Sequence, residues 1–213
     1  MTTSNYKRIA VVGASTANGQ GDPENGGFAG RLRKWQEMQS TLENRKYFYN
    51  LGISANTSND ILDRVEKELK VRRVDCVIMQ LGTNDCLRFD EREGQINTPL
   101  DEYKENVHDI LMIAKEQIKT TKQEIGKVIV VGPYPIDEKK TCPVPWAPHY
   151  YRNDDIEKYS KALQRICEKM DVEYVDIWEN FAAKSLTEYL YEDGLHLNTE
   201  SHKYIFEKVI EKL

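Results

Sequence analysis

Short apolar runs alternate along this chain with longer segments in which apolar residues recur every three or four positions. The short runs cover residues 8–13, 47–52, 75–82, 127–133 and 173–177. A run of this length, bounded by polar residues or by glycine and proline, indicates a strand that is buried on both faces. We therefore predict five buried strands.

The segments between these runs have the spacing of amphipathic helices. Their apolar stripes consist of Ile61, Leu62, Val65 and Leu69, then Tyr103, Val107, Ile110, Leu111, Ala114 and Ile118, then Ile156, Tyr159, Leu163, Ile166 and Cys167, and finally Ile205 and Val209. Strands that alternate with helices predict a parallel sheet covered by helices on both faces. Because no repeat or linker interrupts the pattern, we predict a single three-layer α/β domain over residues 1–213.

Composition excludes several classes of protein. The 30 Lys and Arg residues against 35 Asp and Glu residues leave a formal net charge of −5, which argues against a nucleic-acid partner. No apolar run is long enough to span a membrane, and the first residues lack the pattern of a secretory signal. The four cysteines show no Cys-x-x-Cys spacing, so we expect reduced thiols and a cytoplasmic setting.

The first three predicted strands each lead into a turn with groups suited to acyl transfer. These turns contain Ser15, Gly52 and Asn84. Ligands bind at the carboxyl ends of parallel strands, so we expect the three turns to lie together. Ser15 offers a nucleophilic hydroxyl, while its own N–H, the N–H of Gly52 and the Asn84 amide offer donors for an oxyanion.

A carboxylate and a histidine stand three residues apart near the end of the chain, in the turn Asp193-Gly194-Leu195-His196. Histidine is the side chain best suited to proton transfer near neutral pH. A carboxylate that accepts a hydrogen bond from one ring nitrogen leaves the other nitrogen free to act as a base. Asp193 and His196 are therefore candidates for the orienting acid and the general base that Ser15 requires.

Four sequence blocks, in this order, resemble those of the SGNH hydrolase superfamily, the GDSL-like esterases, lipases and acylhydrolases. The blocks are Gly13-Ala14-Ser15, Asn50-Leu51-Gly52, Leu81-Gly82-Thr83-Asn84-Asp85 and Asp193-Gly194-Leu195-His196-Leu197-Asn198. The resemblance implies a flavodoxin-like sandwich with strand order 2-1-3-4-5, ester hydrolysis, and neither metal nor organic cofactor. It assigns catalysis to Ser15, Asp193 and His196, and oxyanion binding to Ser15, Gly52 and Asn84.

The chain departs from the family pattern at Ala14, where members usually carry aspartate. The triad candidates are unaffected, but hydrogen bonds expected to hold the nucleophile turn are lost. Each candidate also has a structural alternative: Ser15 as a helix N-cap, Gly52 as a residue that permits an unusual turn, Asn84 as an Asx-turn residue, Asp193 as a turn residue and His196 as a loop residue. Asp85 is interpreted as a structural carboxylate.

Two long irregular stretches, residues 86–99 and 133–152, are expected to shape the substrate cleft. From the second we predict Trp146, His149 and Tyr150 as cleft residues. The alternative is that these aromatic residues simply pack a proline-rich loop.

We therefore predict a serine esterase that cleaves short acyl esters, with a small-molecule or carbohydrate ester as its partner and acetyl groups on carbohydrate as one candidate. The alternatives are a non-catalytic binder of acylated glycans and a lysophospholipase or thioesterase on the same scaffold. Phosphate binding at the glycine-rich segment 19–27 is disfavoured because that segment matches no phosphate-loop signature. The sequence does not indicate an oligomeric state.

Overall fold

The computed structural model describes residues 5–120 and 126–213. Its strands are β1 (Arg8–Gly13), β2 (Tyr47–Gly52), β3 (Cys76–Gln80), β4 (Arg88–Phe89), β5 (Lys127–Val131), β6 (His149–Tyr150) and β7 (Glu173–Val175). Five of them form one parallel sheet in the order β2-β1-β3-β5-β7. Counted along the five predicted strands this is 2-1-3-4-5, so the predicted topology is confirmed.

Helices flank this sheet and complete the three layers. They are α1 (Ser15–Asn18), α2 (Gly27–Glu37), α3 (Ser58–Arg72), α4 (Leu100–Thr120), α5 (Glu138–Thr141), α6 (Asn153–Lys169), α7 (Trp178–Ala182), α8 (Leu186–Tyr189) and α9 (Thr199–Ile210). α2 packs against α9, while α4 packs against both α3 and α6. Within the described residues, no helix is both long and apolar enough to cross a bilayer.

The burial of each strand explains why the sequence revealed it. Every residue of β3 is buried, and in β1 only Arg8 is not, so both strands are almost wholly apolar. β2 lies at the edge of the sheet, and of its six residues only Leu51 is buried, the others being exposed or half-buried. Its aromatic residues still favour a strand, because such side chains suit a half-covered sheet surface.

The two irregular stretches are joined by a short second sheet that the sequence pattern did not indicate. β4 and β6 are two residues each and pair antiparallel. A salt bridge from the Arg88 guanidinium to the Asp155 carboxylate, at 2.7 Å, ties this small sheet to α6. The predicted fifth strand ends at Val175, earlier than expected, because the Asp176 carboxylate accepts from the N–H of Trp178 and starts α7.

His202 joins the last helix to the segment that follows the nucleophile turn. Its ring is fully buried, with Nε2 2.9 Å from the carbonyl oxygen of Gln20. The N–H of Phe28 donates to Nδ1 at 3.2 Å, so the ring is neutral, with its proton on Nε2. Burial lowers the pKa of His202 below its ordinary value of 6.5. It is a structural histidine.

This buried ring gives a prediction for stability against pH. The unfolded chain takes up a proton at the ordinary histidine pKa of 6.5, whereas folded His202 takes one up only at lower pH. The contribution of His202 to folding stability is therefore complete above about pH 6.5 and is lost as the pH falls towards the lowered pKa. We expect the free energy of unfolding, measured in urea between about pH 7.5 and about pH 5.5, to change less with pH for His202→Gln than for the wild type. Equal slopes would contradict this.

Candidate active site

The two ends of the chain meet at the carboxyl edge of the sheet. His196 Nε2 lies 2.9 Å from the Oγ of Ser15, which stands 181 residues earlier. His196 Nδ1 lies 2.6 Å from Oδ2 of Asp193. Because the carboxylate accepts from Nδ1–H, Nε2 is unprotonated and accepts from the Ser15 hydroxyl. The arrangement is that of a nucleophile, a base and an orienting acid.

The Asp193 turn holds its carboxylate firmly. Oδ1 accepts from the N–H groups of Leu195 and His196 at 2.8 and 2.9 Å, which leaves Oδ2 for the imidazole. Burial alone would raise the pKa of Asp193, but hydrogen bonds from the His196 ring and from these two N–H groups lower it to about 2. Gly194 has φ +73°, a conformation that favours glycine, and an added Cβ would lie 2.9 Å from Asp137 Cβ.

Ser15 is the first residue of α1, a single helical turn. The carbonyl of Ala14 accepts from the N–H of Asn18 at 2.9 Å, and the carbonyl of Ser15 accepts from Gly19 and Gln20 at 3.0 Å each. Within residues 5–120 and 126–213, the Ser15 N–H has no hydrogen-bond partner, as expected for the first turn of a helix. When the Ser15 hydroxyl attacks a carbonyl carbon, the N–H of the same residue is therefore free to donate to the oxyanion that forms.

The family's aspartate is absent at Ala14, yet the nucleophile turn is anchored by a residue from the segment that follows β5. The Thr16 hydroxyl lies 2.9 Å from the Tyr134 hydroxyl in a fully buried contact, and Tyr134 follows β5. Burial raises the pKa of Tyr134 well above its usual value, so the phenol stays protonated. This contact and the backbone bonds of α1 fix the turn although Ala14 makes no side-chain cap.

Asn84 reaches the same edge from the turn after β3. Its Nδ2 donates to the carbonyl of Asn56 at 3.0 Å, and its Oδ1 accepts from the Tyr151 hydroxyl at 3.2 Å. An amide nitrogen carries two protons, so one remains for a ligand. The next residue, Asp85, is buried and accepts from the N–H and hydroxyl of Ser58, which makes it a structural carboxylate at the start of α3.

The N–H of Gly52, predicted as an oxyanion donor, is engaged by a neighbouring side chain in this structure. It donates to Oδ1 of Asn50 at 2.9 Å, so this donor already has an acceptor. Glycine is needed here for close packing, since an added Cβ would lie 2.4 Å from the backbone nitrogen of Asn18 in α1. Asn56, rather than Gly52, is the residue after β2 that lines the cavity. Ser15 and Asn84 each keep a donor that is free to meet an oxyanion.

The triad opens into a small cavity of about 20 Å³. Its wall is formed by Ala14, Ser15, Thr16, Asn56, Gln80, Leu81, Gly82, Thr83, Asn84, Tyr134, Leu195 and His196. These residues lie at or just beyond the carboxyl ends of β1, β2, β3 and β5, or in the Asp193 turn, as expected for a ligand site in a parallel sheet. A cavity of this volume holds little more than one water molecule.

The predicted cleft residues do not line this cavity. None of Trp146, His149 and Tyr150 is among the residues that line it. Trp146 is 58% exposed, and the His149 ring packs edge-on against Phe89 at 5.4 Å between centroids. The aromatic residues that do reach the site are Tyr134, in the cavity wall, and Tyr151, through Asn84.

A larger cavity of about 920 Å³ lies elsewhere, beside β7 and the ends of α4 and α6. Its described lining includes Lys115, Gln164 and Tyr174 but no serine, histidine or cysteine. Of these two cavities in the described part of the chain, the one at Ser15 joins a nucleophile to a base, so chemistry rather than size identifies the site.

Comparison with known proteins agrees with this geometry. Residues 11–204 match the model of the GDSL-like Lipase/Acylhydrolase family. A GDSL esterase/lipase of Arabidopsis thaliana is 28% identical over 175 residues, covering 76% of this chain and 70% of that protein. One of Oryza sativa subsp. japonica is 23% identical over 195 residues, covering 87% and 70%.

Solved structures share the fold at low sequence identity. A lipase/acylhydrolase from Enterococcus faecalis has a TM-score of 0.72 and 19% identity, with 97% of this chain and 94% of that chain covered. An acetyl xylan esterase has a TM-score of 0.72 and 18% identity, covering 97% and 99%. The chain is a carboxylic ester hydrolase that belongs to the GDSL-like lipase/acylhydrolase family of the SGNH hydrolase superfamily.

Proposed function

We propose that this protein hydrolyses short-chain carboxylic esters through an acyl-enzyme on Ser15. The observation that carries the proposal is the continuous chain from the Ser15 hydroxyl through His196 to Asp193, with distances of 2.9 and 2.6 Å. A protein that only bound acylated glycans would have no use for a base directed at a serine, so this chain favours catalysis over binding.

The proposed reaction has two halves. As the Ser15 Oγ attacks the ester carbonyl, its proton passes to His196 Nε2, and Asp193 stabilises the imidazolium. The Ser15 N–H and the free Nδ2 proton of Asn84 receive the developing oxyanion. The tetrahedral intermediate collapses, and the imidazolium gives its proton to the departing alcohol. Water then attacks the acyl-enzyme in the same manner, releasing the acid and restoring Ser15.

The size of the cavity supports a short acyl chain. The cavity beside Ser15, at about 20 Å³, is small, which favours a small acyl group over a long chain. Structural neighbours include acetyl xylan esterases, so acetyl groups on carbohydrate are the substrate class that we favour.

A panel of p-nitrophenyl esters of increasing acyl length tests the proposal. We expect kcat/KM to fall by at least about tenfold from acetate to octanoate, which corresponds to about 1.4 kcal/mol of lost transition-state binding. Acetylated xylo-oligosaccharide, assayed by acetate release, should also be cleaved. Preference for octanoate would favour the lysophospholipase alternative, and preference for an acetyl thioester would favour the thioesterase.

A further inference from the structure

The Asn84 amide is held at both ends by groups that do not belong to the triad. Nδ2 donates to the carbonyl of Asn56, and Oδ1 faces the hydroxyl of Tyr151 at 3.2 Å. Asn56 is itself fixed, since Arg64 Nε in α3 donates to its side-chain oxygen at 2.9 Å. The amide therefore has a defined plane and orientation before any substrate arrives.

The two partners together decide which way the amide points. A carbonyl oxygen only accepts hydrogen bonds, so Asn56 requires the nitrogen of the Asn84 amide to face it. Oδ1 must then face Tyr151, whose hydroxyl must donate. If the amide were flipped, Oδ1 would meet the Asn56 carbonyl and no donor would be presented to the oxyanion.

Tyr151 is built into the fold in a way that suits this task. Its side chain is buried, and its N–H donates to the carbonyl of Thr141 at the end of α5 at 2.9 Å. Its own carbonyl accepts from the Cys142 thiol at 2.7 Å. Burial raises the pKa of Tyr151 far above its usual value, so the hydroxyl keeps its proton and remains a donor.

We propose that Tyr151 is a positioning residue for ester hydrolysis, holding the Asn84 amide so that its free Nδ2 proton points at the oxyanion. This inference rests on the proposed function of Ser15 and Asn84. Tyr151 does not touch the substrate; it acts only through Asn84. Tyr151 therefore stabilises the transition state, in which the oxyanion exists, and does not affect binding of the substrate in the ground state.

Tyr151→Phe removes the hydroxyl and keeps the ring. We expect kcat for p-nitrophenyl acetate to fall about 3- to 10-fold with KM unchanged, the range for one neutral hydrogen bond. Tyr174→Phe is the matched control, since the Tyr174 hydroxyl lies 3.2 Å from the Ser160 hydroxyl, a bond of equal length made by a side chain outside the cavity wall. Both variants should lose a few degrees of Tm, but Tyr174→Phe should keep its kcat.

A double-mutant cycle separates positioning from a general structural effect. Asn84→Ala should lower kcat by ~10²–10³. In that background Tyr151→Phe should change kcat by less than about twofold, because the group through which it acts is gone. Unchanged kcat in the single variant, or an undiminished effect in the Asn84→Ala background, would overturn the inference while leaving the esterase assignment intact. Inactive wild-type protein would overturn both.

Discussion

Ser15→Ala is expected to lower kcat for p-nitrophenyl acetate by on the order of 10⁵, to a level set by the oxyanion donors alone. The reason is geometric: among residues 5–120 and 126–213, the Ser15 hydroxyl at 2.9 Å is the one hydrogen-bond partner of His196 Nε2. The variant should fold like the wild type, because the removed oxygen lies at the cavity surface and takes no part in the core. Initial rates with saturating ester measure the effect.

Ser185→Ala is the control for this change. Ser185 is exposed and caps α8 through Glu188, so its loss affects stability locally, by about 1 kcal/mol, and leaves the rate unchanged. If Ser15→Ala kept more than about a tenth of the wild-type kcat, another nucleophile would have to carry the reaction and the mechanism would be wrong.

Asp193→Asn is expected to lower kcat by ~10⁴ although it preserves shape. The N–H groups of Leu195 and His196 both donate to Oδ1, so an asparagine would keep its oxygen there and turn its NH₂ towards His196 Nδ1. The imidazole would then carry its proton on Nε2, which could no longer accept from Ser15. Rate measurements at neutral pH test this, because Asp193, with a pKa of about 2, is ionised there.

Asp176→Asn provides the matched comparison. Asp176 also accepts a backbone N–H two residues ahead, from Trp178 at 2.9 Å, but no histidine in the described part of the chain pairs with it. It should retain full activity. An Asp193→Asn variant that stayed within about tenfold of wild type would show that the carboxylate does not set the tautomer.

Much of the fold was readable from the sequence because its central strands are buried on both faces. β1 and β3 appear as apolar runs since no residue after Arg8 meets solvent in either strand. The β4–β6 pair could not be predicted from the sequence. Two-residue strands have no periodicity of their own, and this pair exists because residues about 60 positions apart meet in space.

The site could be predicted at the level of turns but not of every atom. The turn after β2 was located from its glycine, yet the N–H of Gly52 turns to Asn50 while Asn56 reaches the cavity. Likewise, the second long stretch is rich in aromatic residues, and nothing local distinguishes exposed Trp146 from buried Tyr151. Which side chain meets Asn84 is decided by the docking of the loop against α5, a tertiary effect.

At Ala14 the chain departs from the family pattern, and other contacts compensate for the missing aspartate. The sequence raised the question of what holds the nucleophile turn without an aspartate. In the structure, the buried contact between Thr16 and Tyr134, together with the backbone bonds of α1, fixes the turn. Residues 16 and 134 are far apart in sequence, so their contact had no local signal.

Phosphonylation of Ser15 tests the central claim most directly. The protein is treated with a fluorophosphonate, and the adduct is counted by intact mass and located by peptide mapping. An activated serine predicts one adduct per chain, located on Ser15, absent from Ser15→Ala and strongly slowed in His196→Ala. Absence of an adduct on the wild-type protein, or an adduct on any other residue in place of Ser15, would contradict the assignment of Ser15 as the nucleophile.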